Sequence, residues 1–454
     1  MQRRIEEYVR SLGLDAYLVG GAVRDELLGG EAKDADFVVP GVDTEELRRL
    51  LEPHGAVEDL VVSDRLVGLR FHPRDRAVRA LVPAGIELAP PRREVSTGPG
   101  RHDFEIVADA SLPIERDMER RDFTVNAIAR RLSTGEYVDP LGGRRDLEQR
   151  ILRAVSEQSF REDPLRIVRG LRFVSQLGFE PDERTRAQMR ENAAAIEHVA
   201  PERIGGGLAA DGQGELSKLL LGREPARALR LARDTGVLER LLPELAATVG
   251  YEQASSRQHL TLDEHVFEVV QRTADAGERL EVRLGALLHD LGKPEAERTG
   301  ADHAALGAEI AARVLRRLRY PTRLRLYVKR LVREHAFPEL QEPEPVDARR
   351  FLAAHGDELA LDLLAHKAAD LGAKERTEAE HAAHLRFREL VEEARTSPHS
   401  LADLAVGGDD LIAAGLREGP ELGRVLATLL AEVVEEPERN DRDLLLERAR
   451  TLTA

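Results

Sequence analysis

Asp34 and Asp36 stand two residues apart in the stretch Tyr17–Pro40, YLVGGAVRDELLGGEAKDADFVVP. Side chains two apart on a strand point to the same face, so both carboxylates can hold one hard divalent cation such as Mg²⁺. Upstream, Gly20 and Gly21 make a turn before an amphipathic helix, where free backbone N–H groups and the positive helix end accept a phosphate. Arg24, in the first turn of that helix, adds a charge-assisted contact. A metal pair, a phosphate cradle and an arginine in one short stretch predict nucleotidyl transfer. Asp-x-Asp alone fits solvated acids in a loop–helix crossover better. GG-x-V-R-D followed by K-D-x-D is far more specific. Glu87, near the end of a later strand, could add a third carboxylate, and an ordinary edge acid is the equal alternative.

A second group of polar residues lies downstream. ERRDFTVNAIARR (119–131) reads as a helix that buries Phe123 and Ile128 and starts on Arg120 and Arg121. Arginines at a helix start oppose the dipole, which suggests that they serve an anion. FREDPLRIVRGLRFVSQLGF (160–179) reads as one helix, with Asp163 and Arg166 three apart and Arg169 and Arg172 following. Neighbours three apart share a helix face, so Asp163 presents an acceptor beside the donor of Arg166. A surface ion pair of that spacing is common and worth little; two further arginines favour a functional reading. A carboxylate accepts from the exocyclic amine of cytosine or adenine, and the guanidinium donates to the adjacent ring nitrogen. Uracil and guanine carry a carbonyl and a ring N–H there and are repelled.

The third group is imidazole-rich. His265, His289–Asp290, His303, His335 and Asp370 are spread over predicted helices between 256 and 395, as ligands of one or two transition metals in a helical site would be. The adjacent His289–Asp290 after an apolar run, with Lys293 behind it, is the strongest part of this signal. His259, His366, His381 and His384 read as bystanders, and Glu202 and Arg203 as solvated or structural residues.

These residues need elements to position them. A first helix, the strand–turn–helix–strand of Tyr17–Pro40, a helix at 44–54 and alternating segments at 58–72 and 77–89 predict an α/β head built on a small, largely antiparallel sheet. PPRREVSTGPGRHDFE (90–105) reads as a mobile loop beside the site. Beyond Asp139 the pattern is helical almost to the end. The chain has 454 residues, enough for several domains. It has no cysteine, so metal ligands are limited to carboxylate and imidazole. The formal charge of −16 argues against nucleic acid only if spread evenly. Residues 116–172 hold 13 Arg and no Lys against 10 Asp and Glu, a local positive footprint. No run is long enough for a membrane span, and the expected location is cytoplasmic.

Together these motifs resemble the bacterial CCA-adding tRNA nucleotidyltransferases, the class shared with bacterial poly(A) polymerases, over most of the chain. LVGGAVRDELLG and KDADFVV are similar to the catalytic motif, which implies Asp34 and Asp36 as Mg²⁺ ligands and the Gly20–Gly21 turn and Arg24 as nucleotide contacts. ERRDFTVNAIA implies Arg121 at the triphosphate or ribose. DPLGGRRDLEQRILR resembles the hinge between head and neck. REDPLRIVRGLRF resembles the E-D-x-x-R amino-acid template, which implies Glu162, Asp163, Arg166, Arg169 and Arg172 at the nucleotide. IELAPPRRE with GPGRHDFE resembles the strand and loop of the longer members, which implies complete CCA addition. The segment around His289 resembles an HD-type phosphohydrolase domain, whose ligand pattern His265, His289, Asp290, His335 and Asp370 match, with His303 beside them.

The expected fold is α+β: a nucleotidyltransferase head on a mixed or antiparallel sheet (1–140) followed by an elongated all-α neck (141–208), body (209–255), HD-type domain (256–395) and tail (396–454). The expected partners are CTP, ATP and the tRNA 3′ end, with no membrane and no protein partner. The alternatives are an enzyme adding only A or only CC, a poly(A) polymerase, an HD-type hydrolase with a vestigial head, and a non-catalytic RNA-binding protein.

Overall fold

A computed structural model describes residues 2–30, 36–62, 65–96, 104–206, 213–253 and 259–453. Asp34 and the tip of the 90–105 segment lie outside the described residues. The chain forms two compact units, 1–243 and 244–454.

The first unit opens with α1 (Gln2–Ser11), β1 (Tyr17–Val19), α2 (Gly21–Leu27), β2 (Asp36–Val38) and α3 (Thr44–Leu51). Next come β3 (Gly55–Val62), β4 (Arg65–Pro73), α4 (Arg76–Arg79) and β5 (Ile86–Ala89). The stretch 77–89, expected to be extended, therefore starts as a helical turn, because Asp75 caps it by accepting from the backbone N–H groups of Ala77 and Val78. The described residues of the 90–105 segment are not an open loop either. They supply β6 (Arg92–Ser96) and the first two residues of β7 (Phe104–Ala108), an antiparallel pair that satisfies its own backbone groups.

With β8 (Ala129–Arg131) and β9 (Tyr137–Val138), the main sheet runs β3-β4-β5-β2-β1-β8-β9. Every pair is antiparallel except β2 with β5. Its register separates core from site. Leu18, Phe37, Leu88 and Leu69 pair across four strands, and with Phe71 and Ile86 they form one buried face. On the other face Val19, Asp36, Glu87 and Arg70 form a row across the same strands. The period of two thus turns apolar residues to the core and charged ones to the site. Tyr8 of α1 stacks on Phe71 at 6.4 Å, and Leu47 and Leu51 of α3 are fully buried.

The 119–131 segment is not a helix. It follows α5 (Ile114–Glu119), makes one 3₁₀ turn at Thr124–Asn126 and becomes β8. Arg120 therefore sits at the C-terminal end of α5, where a cation suits the dipole. The β-branched Thr124 and Val125 and the pairing of β8 with β1 outweigh the helical period. After α6 (Gly143–Gln149) come α7 (Ser159–Glu162) and α8 (Leu165–Leu177). Asp163 lies in extended backbone between them rather than on a helix, and its Oδ1 accepts from Leu165 N at 3.1 Å. Pro164 explains the break, because the residue before a proline is driven from the helical region. Then follow α9 (Glu183–Asn192), α10 (Pro201–Ile204), α11 (Glu215–Leu220) and α12 (Pro225–Asp234).

Among the described residues the regular elements of the second unit are all helices, including α13 (Leu262–Asp275), α14 (Leu280–Leu288), α15 (His303–Arg317), α16 (Thr322–Glu334) and α17 (Asp357–Gly372). One apolar cluster joins Leu331, Phe351, Leu363 and Phe387; another, with Leu411, Leu429 and Leu445, gives the C-terminal residues a core of their own. Among the described residues no helix is long and apolar enough to cross a membrane.

Phe123 joins the segment after α5 to the neck helix α8. Fully buried, it packs at 5.7 Å edge-on to Phe173 and at 6.1 Å from Phe160. Phe123→Ala should destabilise the first unit by about 3–5 kcal/mol, read from its urea transition in the full chain; a shift below about 1 kcal/mol would contradict this packing.

Candidate functional site

A cavity of about 820 Å³ opens on the charged face of the sheet, against α8. It is lined by Gly20, Gly21, Arg24, Asp36, Glu87, Arg121, Asp163, Arg166, Arg169 and Arg172. One wall thus collects residues from two ends of the first unit's sequence. Nine arginines and five carboxylates line it, so its field favours a polyanion such as a triphosphate.

Gly20 has φ 72°, and a Cβ there would come within 2.5 Å of Arg121 Nη1. Only glycine combines that conformation with so close an approach, which sets Arg121 directly over the N-terminal end of α2. Arg121 is held 3.2 Å from Asp117, which also accepts from Arg120 Nε at 2.8 Å. Burial alone would raise the Asp117 carboxyl; Arg120 and Arg121 outweigh it and hold it low. Arg24 donates to Asn126 Oδ1 at 2.8 Å and lies 5.2 Å from the centre of the Phe173 ring. Glu87 stands beside Asp36 in register and accepts from Arg70 at 2.8 Å.

Asn126 donates in turn to Asp122 Oδ1 at 2.8 Å, and Arg169 donates to Asp122 Oδ2 through Nε at 2.8 Å and Nη2 at 2.6 Å. The Phe123 N–H fills a further acceptor position at 2.8 Å. Arg172 lies 3.2 Å from Glu215 and stacks on Phe173 at 4.3 Å. Burial pushes its guanidinium down to about 10, so it keeps its charge at neutral pH.

Arg166 is 7 % exposed and donates to the Arg120 carbonyl at 2.7 Å and Ser159 Oγ at 3.1 Å, with Glu162 at 3.3 Å. Asp163 Oδ2 accepts from Arg203 at 3.1 Å. Arg203, read from sequence as solvated or structural, lines the cavity. Asp117 could have been found as the i−3 and i−4 partner of Arg120 and Arg121. No spacing pointed to Asp122, Glu215 or Arg203, whose charged partners are distant in sequence.

The second unit holds a separate site. His265 comes from α13, His289 and Asp290 follow α14, His303 begins α15, His335 follows α16, and Asp370 lies on α17. Ligand atoms of His265, His289 and Asp290 lie within 4.8 Å of one another, as do those of Asp290, His303 and His335. Asp290 belongs to both groups. Its Oδ2 faces His289 at 3.0 Å and His265 at 3.4 Å, whereas Oδ1 faces His335 at 3.7 Å and His303 at 3.8 Å. Asp370 Oδ1 lies 3.1 Å from His265. Nδ1 of His289 and of His335 each meets a backbone carbonyl, at 2.9 and 2.7 Å. Donation there leaves the Nε2 lone pairs free to face inward, the arrangement that metal-ligating histidines use. His265 Nε2, His289 Nε2 and Asp370 Oδ1 are buried without a hydrogen-bond partner. Such a donor set fits one or two borderline transition-metal ions. Lys293 and Lys374 approach Asp290 and Asp370 at 2.7 and 2.6 Å. His366, set aside from sequence as a bystander, is fully buried within this cluster. His259 and His381 are exposed, and His384 lines another cavity.

The "Multifunctional CCA protein" of Xanthomonas campestris pv. campestris is 36% identical to this chain over 440 residues, 91% of this chain and 96% of that protein. The chain belongs to the multifunctional CCA protein family. Within it, residues 16–153 match the model described as the poly A polymerase head domain. Residues 178–248 match the probable RNA and SrmB-binding site of polymerase A, and 262–381 the HD domain. The α+β fold is that of solved CCA-adding enzymes. The Bacillus stearothermophilus enzyme in complex with CTP has a TM-score of 0.69 and 26% identity, covering 98% of this chain and 96% of that one. The Thermotoga maritima enzyme complexed with tRNA shares the fold at a TM-score of 0.56 and 20% identity, covering 100% and 94%. Both the nucleotidyltransferase and the HD families are metal-dependent.

Burial alone would raise the Asp122 carboxyl, but the charge of Arg169 and the hydrogen bonds from Asn126, Arg169 and Phe123 hold it far below its ordinary value. A depressed carboxyl stabilises the fold above its unfolded pKa and loses that contribution as pH falls toward the folded value. Asp122→Asn should therefore cost about 3–5 kcal/mol at neutral pH. In urea titrations across pH, the deficit should narrow below about pH 4; a deficit constant with pH would contradict the ionic role.

Proposed function

We propose that this chain adds CCA to the 3′ end of tRNA from CTP and ATP, in the cytoplasm, with release of pyrophosphate. The observation that carries the reading is that the predicted catalytic acid and the predicted base-reading pair line one cavity. Arg24, Arg121 and the N-terminal end of α2 receive the triphosphate, since backbone N–H groups and guanidinium donors match phosphate oxygens. Asp34 and Asp36 would hold Mg²⁺, with Glu87, in register with Asp36, as a third carboxylate. A divalent ion held there would supply positive charge at the transferring phosphate and lower the pKa of the attacking 3′-hydroxyl. The exposed Asp36 carboxylate, in a row with Glu87, is a donor set suited to a hard cation.

Asp163 and Arg166 read the base. Each Asp163 oxygen keeps acceptor capacity beside its contact with Leu165 N or Arg203, so it can take the amine of cytosine or adenine. Arg166 supplies the donor to the ring nitrogen, while Arg169 and Arg172 hold the wall through Asp122 and Glu215. The domain limits proposed are 1–140, 141–208, 209–255, 256–395 and 396–454. The RNA-binding match over 178–248 supports contact with tRNA by the neck and body. In the second unit, His265, His289, Asp290, His303, His335 and Asp370 form a metal centre for an additional phosphohydrolase activity. A bound transition metal would there supply an activated water.

Extension of tRNA lacking CCA, and of tRNA ending in CC, with CTP and ATP separately and together, tests the main reading. The wild type should complete CCA on the first and add one A to the second. Product stopping at CC, or no extension without a preformed CC end, overturns it. Asp36→Ala should lower the rate by about 10²–10³-fold or more, and Arg166→Ala should relax discrimination against UTP and GTP by about 10- to 100-fold. If Asp36→Ala keeps the main activity, the hydrolase reading replaces this one.

A further inference from the structure

His366 lies on α17 four residues before Asp370, so the two side chains share one helix face. It is fully buried, in a helix whose neighbouring apolar positions would accept a leucine at the same depth. Its ring centre is 4.9 Å from that of His289 and 5.5 Å from that of His335. His289 belongs to the group around Asp290 Oδ2 and His335 to the group around Asp290 Oδ1. His366 therefore packs against one histidine of each group. Both of its ring nitrogens are buried without a hydrogen-bond partner, whereas His289 and His335 each place Nδ1 on a carbonyl. A neutral imidazole carries one donor and one acceptor; burying them unpaired is costly, and a coordinated metal would engage the acceptor nitrogen.

We propose that His366 is a ligand of the metal centre in the second unit, forming with Asp370 an i,i+4 chelating pair on α17. The inference rests on the reading of that centre as a metal site and adds a ligand from outside the six residues assigned to it. An additional imidazole shifts the donor set further from Mg²⁺ and Ca²⁺ and toward Co²⁺, Ni²⁺ or Zn²⁺.

The test uses the full-length protein, stripped with chelator and titrated with Co²⁺ alone. Visible d–d absorption reports binding, and hyperfine-shifted exchangeable imidazole N–H resonances in the proton NMR spectrum report the histidines bound. The wild type should show such resonances, and His366→Gln should show one fewer and bind Co²⁺ about tenfold or more weakly. His366→Leu fills the space without either nitrogen and keeps the test decisive if the glutamine variant does not fold. Exposed His381, changed to Gln, should leave spectrum and affinity unchanged. The same resonances and the same affinity in both His366 variants overturn the assignment of His366. A wild type that takes up Co²⁺ with no shifted imidazole resonance overturns the metal-centre reading beneath it.

Discussion

The buried Asp122 carboxylate couples the two walls of the nucleotide cavity. Through Asn126 it reaches Arg24 at the start of α2, and through Arg169 it reaches the neck helix α8. Every link is a short hydrogen bond, and the two from Arg169 join opposite charges. A carboxylate at this depth is tolerable only because its acceptor positions are filled and a guanidinium balances it. Arg24 at the start of α2 and Arg169 on α8 are therefore set relative to each other by one ionic hub. The sheet beneath adds the rest: its register turns Asp36, Glu87 and Arg70 toward the cavity while the opposite face forms the core.

The two sites differ in the type of ligand they offer. The first unit offers carboxylates in an arginine-rich cavity, which suits a hard ion working beside phosphate oxygens. The second offers buried imidazoles whose Nδ1 atoms are engaged by carbonyls, which suits borderline ions. With no cysteine in the sequence, neither site can use thiolate. Each is also assembled differently. The first depends on strand register and one glycine turn, the second on five helices each contributing one or two side chains.

Much of the head was legible because its signals are local. The turn before α2 and the apolar alternation of Leu18, Phe37, Leu69 and Phe71 follow from nearest neighbours in sequence. Errors arose where local pattern and tertiary demand disagree. ERRDFTVNAIARR has helical period, yet its second half joins the sheet beside β1. Asp163 and Arg166 have helical spacing, yet Pro164 holds Asp163 in extended backbone. The stretch 90–105 has loop composition, yet its flanks pair with each other to satisfy their backbone groups.

By itself, the sequence determined residue chemistry and local conformation: a glycine turn ahead of a helix, acids on a strand, arginines near an acid, and histidines on separate helices. These depend on interactions within a few residues, so spacing reveals them. Only the tertiary structure decided partners. Asp122 with Arg169, Arg203 with Asp163, Glu215 with Arg172 and His366 among the other histidines are all separated by long stretches of chain. Such contacts are selected by burial, since a charge or imidazole taken from water must find a partner wherever the fold provides one. Spacing in sequence carries no record of that choice.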